Sequence, residues 1–414
     1  MSSSTANPFS SVPYTPPDAV FALKAAFDAD TSPLKVNLGP GAYLDDNGKP
    51  WILNSVAAAE QLLIKNPPGH EYLPILGLPA FRDAARKVVF GSNSKLLNEK
   101  RVATIQAVSG TGAVHLALSF LKFYLPKSNK VFVSKPSWAN HRVMAEFLNF
   151  DVIDYPYYDD QTRGVNFEGM KKSLNEAEEG SIWILHACAH NPTGCDLTKD
   201  QWKEIGSIVK ERGLIPILDC AYQGFATGSL DNDAWSIRFI FEELQIPGIV
   251  CQSFSKSMGL YGERVGAIHV IVQSPESENV QDQIKSIESQ IGWISRKEIS
   301  VPPRYGATIA SSIIQDSELY KTWQGDLDIM SNRITSMRSA LLKGLTERKT
   351  PGTWNHITDQ IGMFSYTGLT KSHVAKLREK HIYLLDNGRV SMSGLNTGNV
   401  DYFCKCVDEV VRSS

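Results

Sequence analysis

Lys256 is the side chain in this sequence best placed to do chemistry. It closes the stretch Cys251-Gln252-Ser253-Phe254-Ser255-Lys256, just beyond an apolar run, Gly248-Ile249-Val250-Cys251, that reads as a buried strand. Arg264 follows eight positions later. A lysine there is either a solvated loop residue, the ordinary case, or a desolvated amine with altered reactivity. Other predicted strands also end in polar groups. Leu218 is followed by Asp219-Cys220-Ala221-Tyr222, a carboxylate and a phenol. Leu185 is followed by His186-Ala187-Cys188-Ala189-His190-Asn191-Pro192-Thr193-Gly194. The small residues Ser109-Gly110-Thr111-Gly112-Ala113 read as a loop leading into a helix that begins near Val114. A helix N-terminus offers free N–H groups and a positive dipole end to an anion.

Together these residues match the needs of pyridoxal phosphate chemistry: a lysine for the imine, an acid for the pyridine nitrogen, a phosphate cradle and donors to the ring oxygen. Lys256 supplies the amine and Asp219 the carboxylate. Ser109, Gly110, Thr111, Ser255 and Arg264 supply phosphate donors, and Asn191 and Tyr222 are candidates for the ring oxygen. Trp138, in Pro136-Ser137-Trp138-Ala139-Asn140-His141, offers a flat face to the ring. The loop Gly39-Pro40-Gly41 is a tight turn where backbone can approach a ligand closely. A metal is not expected: His186, Cys188 and His190 alternate, but no clustered ligand spacing accompanies them.

These groups need a scaffold. Val131–Val133, Ile182–Leu185, Leu214–Leu218, Ile249–Val250 and Val265–Val272 are strand candidates separated by amphipathic helical segments. The alternation predicts an α/β fold with a mostly parallel sheet, and such sheets bind ligands at the carboxyl ends of their strands. Ala19–Phe27 reads as a helix. Leu319, Trp323, Leu327, Met330, Ile334, Met337, Leu341 and Leu345 fall on one face of a long one. The expected division is an N-terminal arm at 1–15, a large cofactor-binding domain at 50–316, and a smaller α+β domain from 16–49 with 317–414.

The chain has 414 residues, 42% of them hydrophobic, enough for a sizeable core, and a net charge of −2, which offers no electrostatic footprint for nucleic acid or anionic membrane. The six cysteines include no CxxC pair and sit mostly in apolar runs, as in a reducing compartment. No stretch is long and apolar enough to span a bilayer, and the Ser- and Pro-rich start is not expected to be a signal or transit peptide. A cytoplasmic location is expected.

Four stretches carry a family resemblance: His70 to Leu78, His186 to Gly194, Asp219 to Ala226, and Gln252 to Gly266. Through them the chain resembles, over nearly its whole length, the aspartate aminotransferases of the fold-type-I pyridoxal phosphate enzymes. The resemblance implies that Lys256 holds the cofactor and then shuttles the substrate's Cα proton. It implies that Asp219 pairs with the pyridinium, backed by His141. Arg389 would clamp the α-carboxylate, with Gly41, Trp138 and Asn191 also at the substrate. Arg296 would take the distal carboxylate and Tyr72 the cofactor phosphate, each donated across a homodimer interface, so that the active sites are shared. The substrates would be aspartate, glutamate and their keto acids. The pattern departs from the family at Pro40, Leu44 and Val301, all near substrate-facing positions. The departures leave a pyridoxal phosphate-dependent lyase, decarboxylase or specialised-metabolite enzyme on a related amino acid as the alternative.

Overall fold

The computed structural model describes residues 7, 9–125, 127–273 and 279–413, so part of the expected arm, residues 1–6 and 8, lies outside it. Seven strands form the central sheet: β1 Val102–Val108, β2 Lys130–Lys135, β3 Asp151–Pro156, β4 Ile182–His186, β5 Ile215–Cys220, β6 Gly248–Ser253 and β7 Val265–Ile271. Their spatial order is β1-β7-β6-β5-β4-β2-β3. Pairings from β6 to β3 are parallel, whereas β7 runs antiparallel to both its neighbours. The expected mostly parallel α/β sheet is therefore what the chain builds.

The single reversed strand matters for the site. Because β7 runs the other way, its first residue, Val265, pairs with the last residue of β1, Val108. Arg264, just ahead of it, is thus delivered to the edge where the parallel strands end.

Helix α1 starts at Ser109 and runs to Tyr124, so the small residues expected to be a loop are instead its first turn. Ser109 has φ 63°, a left-handed turn that carries the chain from strand into helix without a connecting loop. Gly110 then fits against the neighbouring strand: a Cβ there would sit 3.1 Å from Ser253 Cβ. Helix α2 is Ala139–Phe147, α3 is Val280–Glu298, and α4 is Ser317–Glu347. All eight apolar positions expected on one face of α4 are buried.

Short strand pairs flank the sheet. Val36–Asn37 runs parallel to Ile382–Tyr383, and Phe364–Tyr366 antiparallel to Arg389–Ser391, with Tyr366 opposite Arg389. One apolar cluster joins α4, through Trp323, Leu327 and Met330, to Leu38, Phe364 and Val390. Trp323 Nε1 also donates to the carbonyl of Ser257, 2.7 Å away, so α4 grips the loop beside Lys256. Asp326, one turn on, is buried and accepts from the backbone N–H and hydroxyl of Ser55 at 2.9 and 2.7 Å. No described helix is long and apolar enough to cross a membrane.

Candidate active site

Asp219 is the next-to-last residue of β5, and its neighbour in register on β4 is His186. Both point to the same sheet edge. His141 is fully buried on α2, with Nε2 2.9 Å from Asp219 Oδ2. Ser137 Oγ lies 3.0 Å from His141 Nδ1 and 3.2 Å from His186 Nε2, and the backbone N–H of Asn191 donates to His186 Nδ1 at 3.4 Å.

The proton position on His186 follows from the one end of this chain that cannot change. A backbone N–H only donates, so His186 Nδ1 accepts and its proton sits on Nε2. Nε2–H then donates to Ser137 Oγ, which also lies within hydrogen-bond distance of His141 Nδ1. On the other side of its ring His141 donates from Nε2 to the Asp219 carboxylate, which only accepts. A line of four hydrogen bonds thus joins the Asn191 backbone to Asp219. Burial holds the His186 pKa well below the ordinary histidine value, with His190 and His141 adding to the effect, so His186 stays neutral as this arrangement requires.

Lys256 follows β6 and is half-buried. Its Nζ stands 4.9 Å from the centroid of the Tyr261 ring. Burial, with Arg264 and Arg389 adding to it, lowers its pKa to about 8 against the opposing pull of Asp219. The 39–41 loop closes over it: a Cβ on Gly41 would lie 4.0 Å from Lys256 Nζ and 3.6 Å from the ring of Phe364. Tyr43 N–H donates to Tyr261 Oη at 2.8 Å, fastening this loop to the lysine's surroundings.

Around the start of α1, Ser109 Oγ lies 2.8 Å from Ser255 Oγ and 3.2 Å from Ser253 Oγ. The N–H of Ser109 donates to the carbonyl of Arg264 at 3.1 Å, and Arg264 Nη1 to the carbonyl of Tyr261 at 3.1 Å. No side chain caps the helix, which leaves the first-turn N–H groups at Gly110 and Thr111 available to an anion.

Arg389 is buried, with 7% of its surface exposed. Its guanidinium lies 4.2 Å from the Phe364 ring centroid, donates to the carbonyl of Gly39 at 2.9 Å, and reaches Asn191 Oδ1 at 3.4 Å. Nε has no partner, and among the described residues no carboxylate pairs with it. Tyr222 is buried, and burial raises its phenol pKa. Trp138 is half-buried, its ring packed edge-on against His141 at 5.2 Å.

The site thus gathers three cations, Lys256, Arg264 and Arg389, around one carboxylate that His141 already occupies. A buried guanidinium with an orphaned N–H and an uncapped helix N-terminus beside paired serines both fit anionic groups of a ligand. A phosphorylated pyridine aldehyde, with an amino acid's carboxylate beside it, matches the donor set.

Two expected residues stand apart. Tyr72 is 88% exposed. Arg296 is exposed on α3, where its guanidinium bonds Ser300 Oγ. Within this chain neither contacts the groups around Lys256 among the described residues. Others were not singled out from the sequence: Ser137, His186, Ser253, Tyr261 and Phe364. Ser137 and His186 lie inside motifs already noted, and their strand-end positions were the available signal. Phe364 and Tyr261 carry none, since an aromatic residue under a cation looks like any core aromatic.

Comparison with known proteins agrees along the whole chain. The family model described as aminotransferase class I and II matches residues 33–407. The cytoplasmic aspartate aminotransferase of Saccharomyces cerevisiae is 44% identical over 409 residues, covering 98% of this chain and 97% of that protein. A solved structure of aspartate aminotransferase from the cytoplasm of that yeast superposes with a TM-score of 0.94, at 45% identity and 98% coverage of both chains. An aromatic-amino-acid aminotransferase from Burkholderia pseudomallei, solved covalently bound to pyridoxal phosphate, gives 0.93 at 41% identity, covering 98% of this chain and 100% of that one. A mitochondrial aspartate aminotransferase of Dictyostelium discoideum is 43% identical over 413 residues, covering 100% of this chain and 95% of that protein.

Proposed function

This chain belongs to the class I and II aminotransferases, and from that premise we propose how its residues exchange an amino group between L-aspartate or L-glutamate and 2-oxoglutarate or oxaloacetate. It is a pyridoxal phosphate-dependent transaminase. The observation that carries the residue assignment is Lys256: an amine with a pKa of about 8, set between a phosphate-type site and a buried, unpaired arginine.

The bound cofactor supplies an electron sink that makes the substrate's Cα proton acidic. Ser109, Gly110, Thr111, Ser255 and Arg264 would hold its phosphate, Asp219 its ring nitrogen, Asn191 and Tyr222 its ring oxygen, and Trp138 its face. Arg389 takes the α-carboxylate with its planar fork, and Phe364 supports the guanidinium from below. Lys256 Nζ, neutral in a useful fraction near pH 8, takes up the Cα proton and returns it on the far side of the exchange. Gly41 leaves room for the substrate beside that amine.

The same reading takes the protein as a homodimer with shared sites, the partner's copies of Tyr72 and Arg296 completing each one. Its support is the face on which these residues sit. Ile75 and Leu76 pack on α3, within 3.3 and 3.0 Å of where a Gly292 Cβ would stand, so the Tyr72 loop and the Arg296 helix share one surface. Trp293 and Ile75 on it are 58% and 41% exposed, apolar area that a second copy would cover. The division into a 50–316 domain and a smaller one from 16–49 with 317–414, able to close over the substrate, belongs to the same proposal. So does a cytoplasmic location, supported by the name of the yeast relative.

Mixing the yellow protein with L-aspartate should bleach its absorption band, and 2-oxoglutarate should restore it, with oxaloacetate and glutamate formed. A band that persists with aspartate, or a product other than these, would overturn the substrate assignment. In the same assay Arg296→Ala should raise KM for aspartate about 10²-fold and leave a neutral amino acid within about twofold. Equal losses for both would remove Arg296 from the distal carboxylate.

The lysine's depressed pKa makes a separate prediction. Only the neutral amine attacks an aldehyde, so the rate at which cofactor-free protein captures pyridoxal phosphate should rise with pH and level off around a midpoint near 8. At pH 7 about a tenth of the amine is then neutral, against about one part in three thousand for an unperturbed lysine. A midpoint near the ordinary value of 10.5 would show that Lys256 is solvated.

A further inference from the structure

Arg338 is a second buried guanidinium, and no step described so far uses it. It lies on α4 with 3% of its surface exposed and no carboxylate partner among the described residues. All its hydrogen bonds go to backbone carbonyls. Nη1 donates to Ile357 O at 2.7 Å, and Nη2 to Gly362 O at 2.9 Å and Phe364 O at 2.5 Å. Nε has no partner. A neutral donor could satisfy one such carbonyl without burying a charge. What the rigid fork adds is geometry, two N–H edges spread across three carbonyls of one irregular segment.

That segment touches Arg389 from two sides. Phe364, whose carbonyl Arg338 holds, carries the ring beneath the Arg389 guanidinium. The preceding residues grip the loop that bears Asn191: Ile361 N–H donates to Gly194 O at 2.8 Å. Phe364 O lies 2.7 Å from where a Cβ on Gly194 would stand, so a larger residue there would push the two segments apart. Asn191 Oδ1 is in turn the side-chain acceptor beside Arg389 Nη1. One guanidinium therefore sets both the ring below Arg389 and the loop carrying the amide beside it.

We propose that Arg338 is a positioning residue that aims Arg389 and thereby sets affinity for the amino acid's α-carboxylate, without itself touching substrate. The proposal rests on the reading of Arg389 given above. It separates Arg338 from a merely structural arginine, because its loss should act on carboxylate binding and leave the cofactor untouched.

The test uses the cofactor-loaded enzyme. Arg338→Lys keeps the charge but cannot span the three carbonyls, and Phe364→Leu keeps Arg338 but removes the ring. Each should raise KM for L-aspartate about tenfold, and the Kd of maleate, an unreactive dicarboxylate, by the same factor. In both, kcat should stay within about twofold and the cofactor band should not move. The double variant should lose less than the sum of the two single losses, since Arg338 acts in part through the Phe364 ring. If Arg338→Lys does not accumulate as folded protein, Arg338→Gln, which reaches one carbonyl without burying a charge, carries the same expectation. Unchanged KM and Kd, a fall confined to kcat, or fully additive losses would overturn the proposal. Arg389→Lys is the control. If it raises KM strongly while the Arg338 variants do not, only this inference fails. If it leaves KM intact, the carboxylate reading of Arg389 fails, and this inference with it.

Discussion

Lys256→Ala is expected to give a folded protein that turns over at least about 10⁴-fold more slowly than the parent, the upper range for losing a positioned general base. The reason is local. Asp219 is held by His141, Arg389 by the carbonyl of Gly39 and the Phe364 ring, and Ser109 by Ser255 and Ser253, so the binding groups keep their partners when the amine goes. Among the described residues no other amine lies within 4 Å of a Cβ built on Gly41, where the proton would be taken. Single-turnover mixing with aspartate, followed at the cofactor band, measures the effect directly. A variant that reacts within tenfold of the parent would remove Lys256 from the proton transfer.

Asp219→Asn should cost about 10³-fold in kcat, comparable to removing one preorganised electrostatic partner from an enclosed site. The amide is the same size, and its oxygen can still accept from His141 Nε2–H, so the relay from Asn191 through His186 and Ser137 can persist with its protons where they are. What is lost is the negative charge that would keep the cofactor's ring nitrogen protonated. The same substitution carries an independent sign. Asp219 pulls the Lys256 pKa upward against burial and two arginines, so its neutralisation should move the midpoint of cofactor capture below about 8. A kcat within tenfold of the parent, or a midpoint that rises, would contradict the role assigned to Asp219.

More of the chemistry than of the scaffold is legible in the sequence. The strands expected at 131–133, 182–185, 214–218, 249–250 and 265–272 are all in the sheet, but β1 and β3 were not among the candidates. β1 is buried throughout nearly its length yet carries Thr104 and Gln106, which look wrong for a core strand. They are tolerated because Thr104 Oγ1 meets His269 Nδ1 at 3.0 Å, while Gln106 serves Pro303 O and Leu78 N–H. β3 is an edge strand whose side chains are mostly exposed or half-buried, so it lacks the apolar run that marked the others. The first turn of α1 looks like a loop in the sequence because glycine and serine are poor helix formers. Packing against β6 overrode that propensity.

By itself the sequence determined the family, the cofactor chemistry, the strand ends where ligand-binding groups collect, and the long buried face of α4. Each of these is written in a short stretch, a strand followed by its polar residues or one helical period, so no distant contact is needed to read it. The tertiary structure alone decided the rest. It made His186 and Ser137 members of a chain ending on Asp219, drew Arg389 over Phe364, and set Arg338 beneath both. It also left Tyr72 and Arg296 on an outer face. These relations join residues tens to hundreds of positions apart. A hydrogen-bond direction or a cation's missing partner exists only once every neighbouring group has been brought into place.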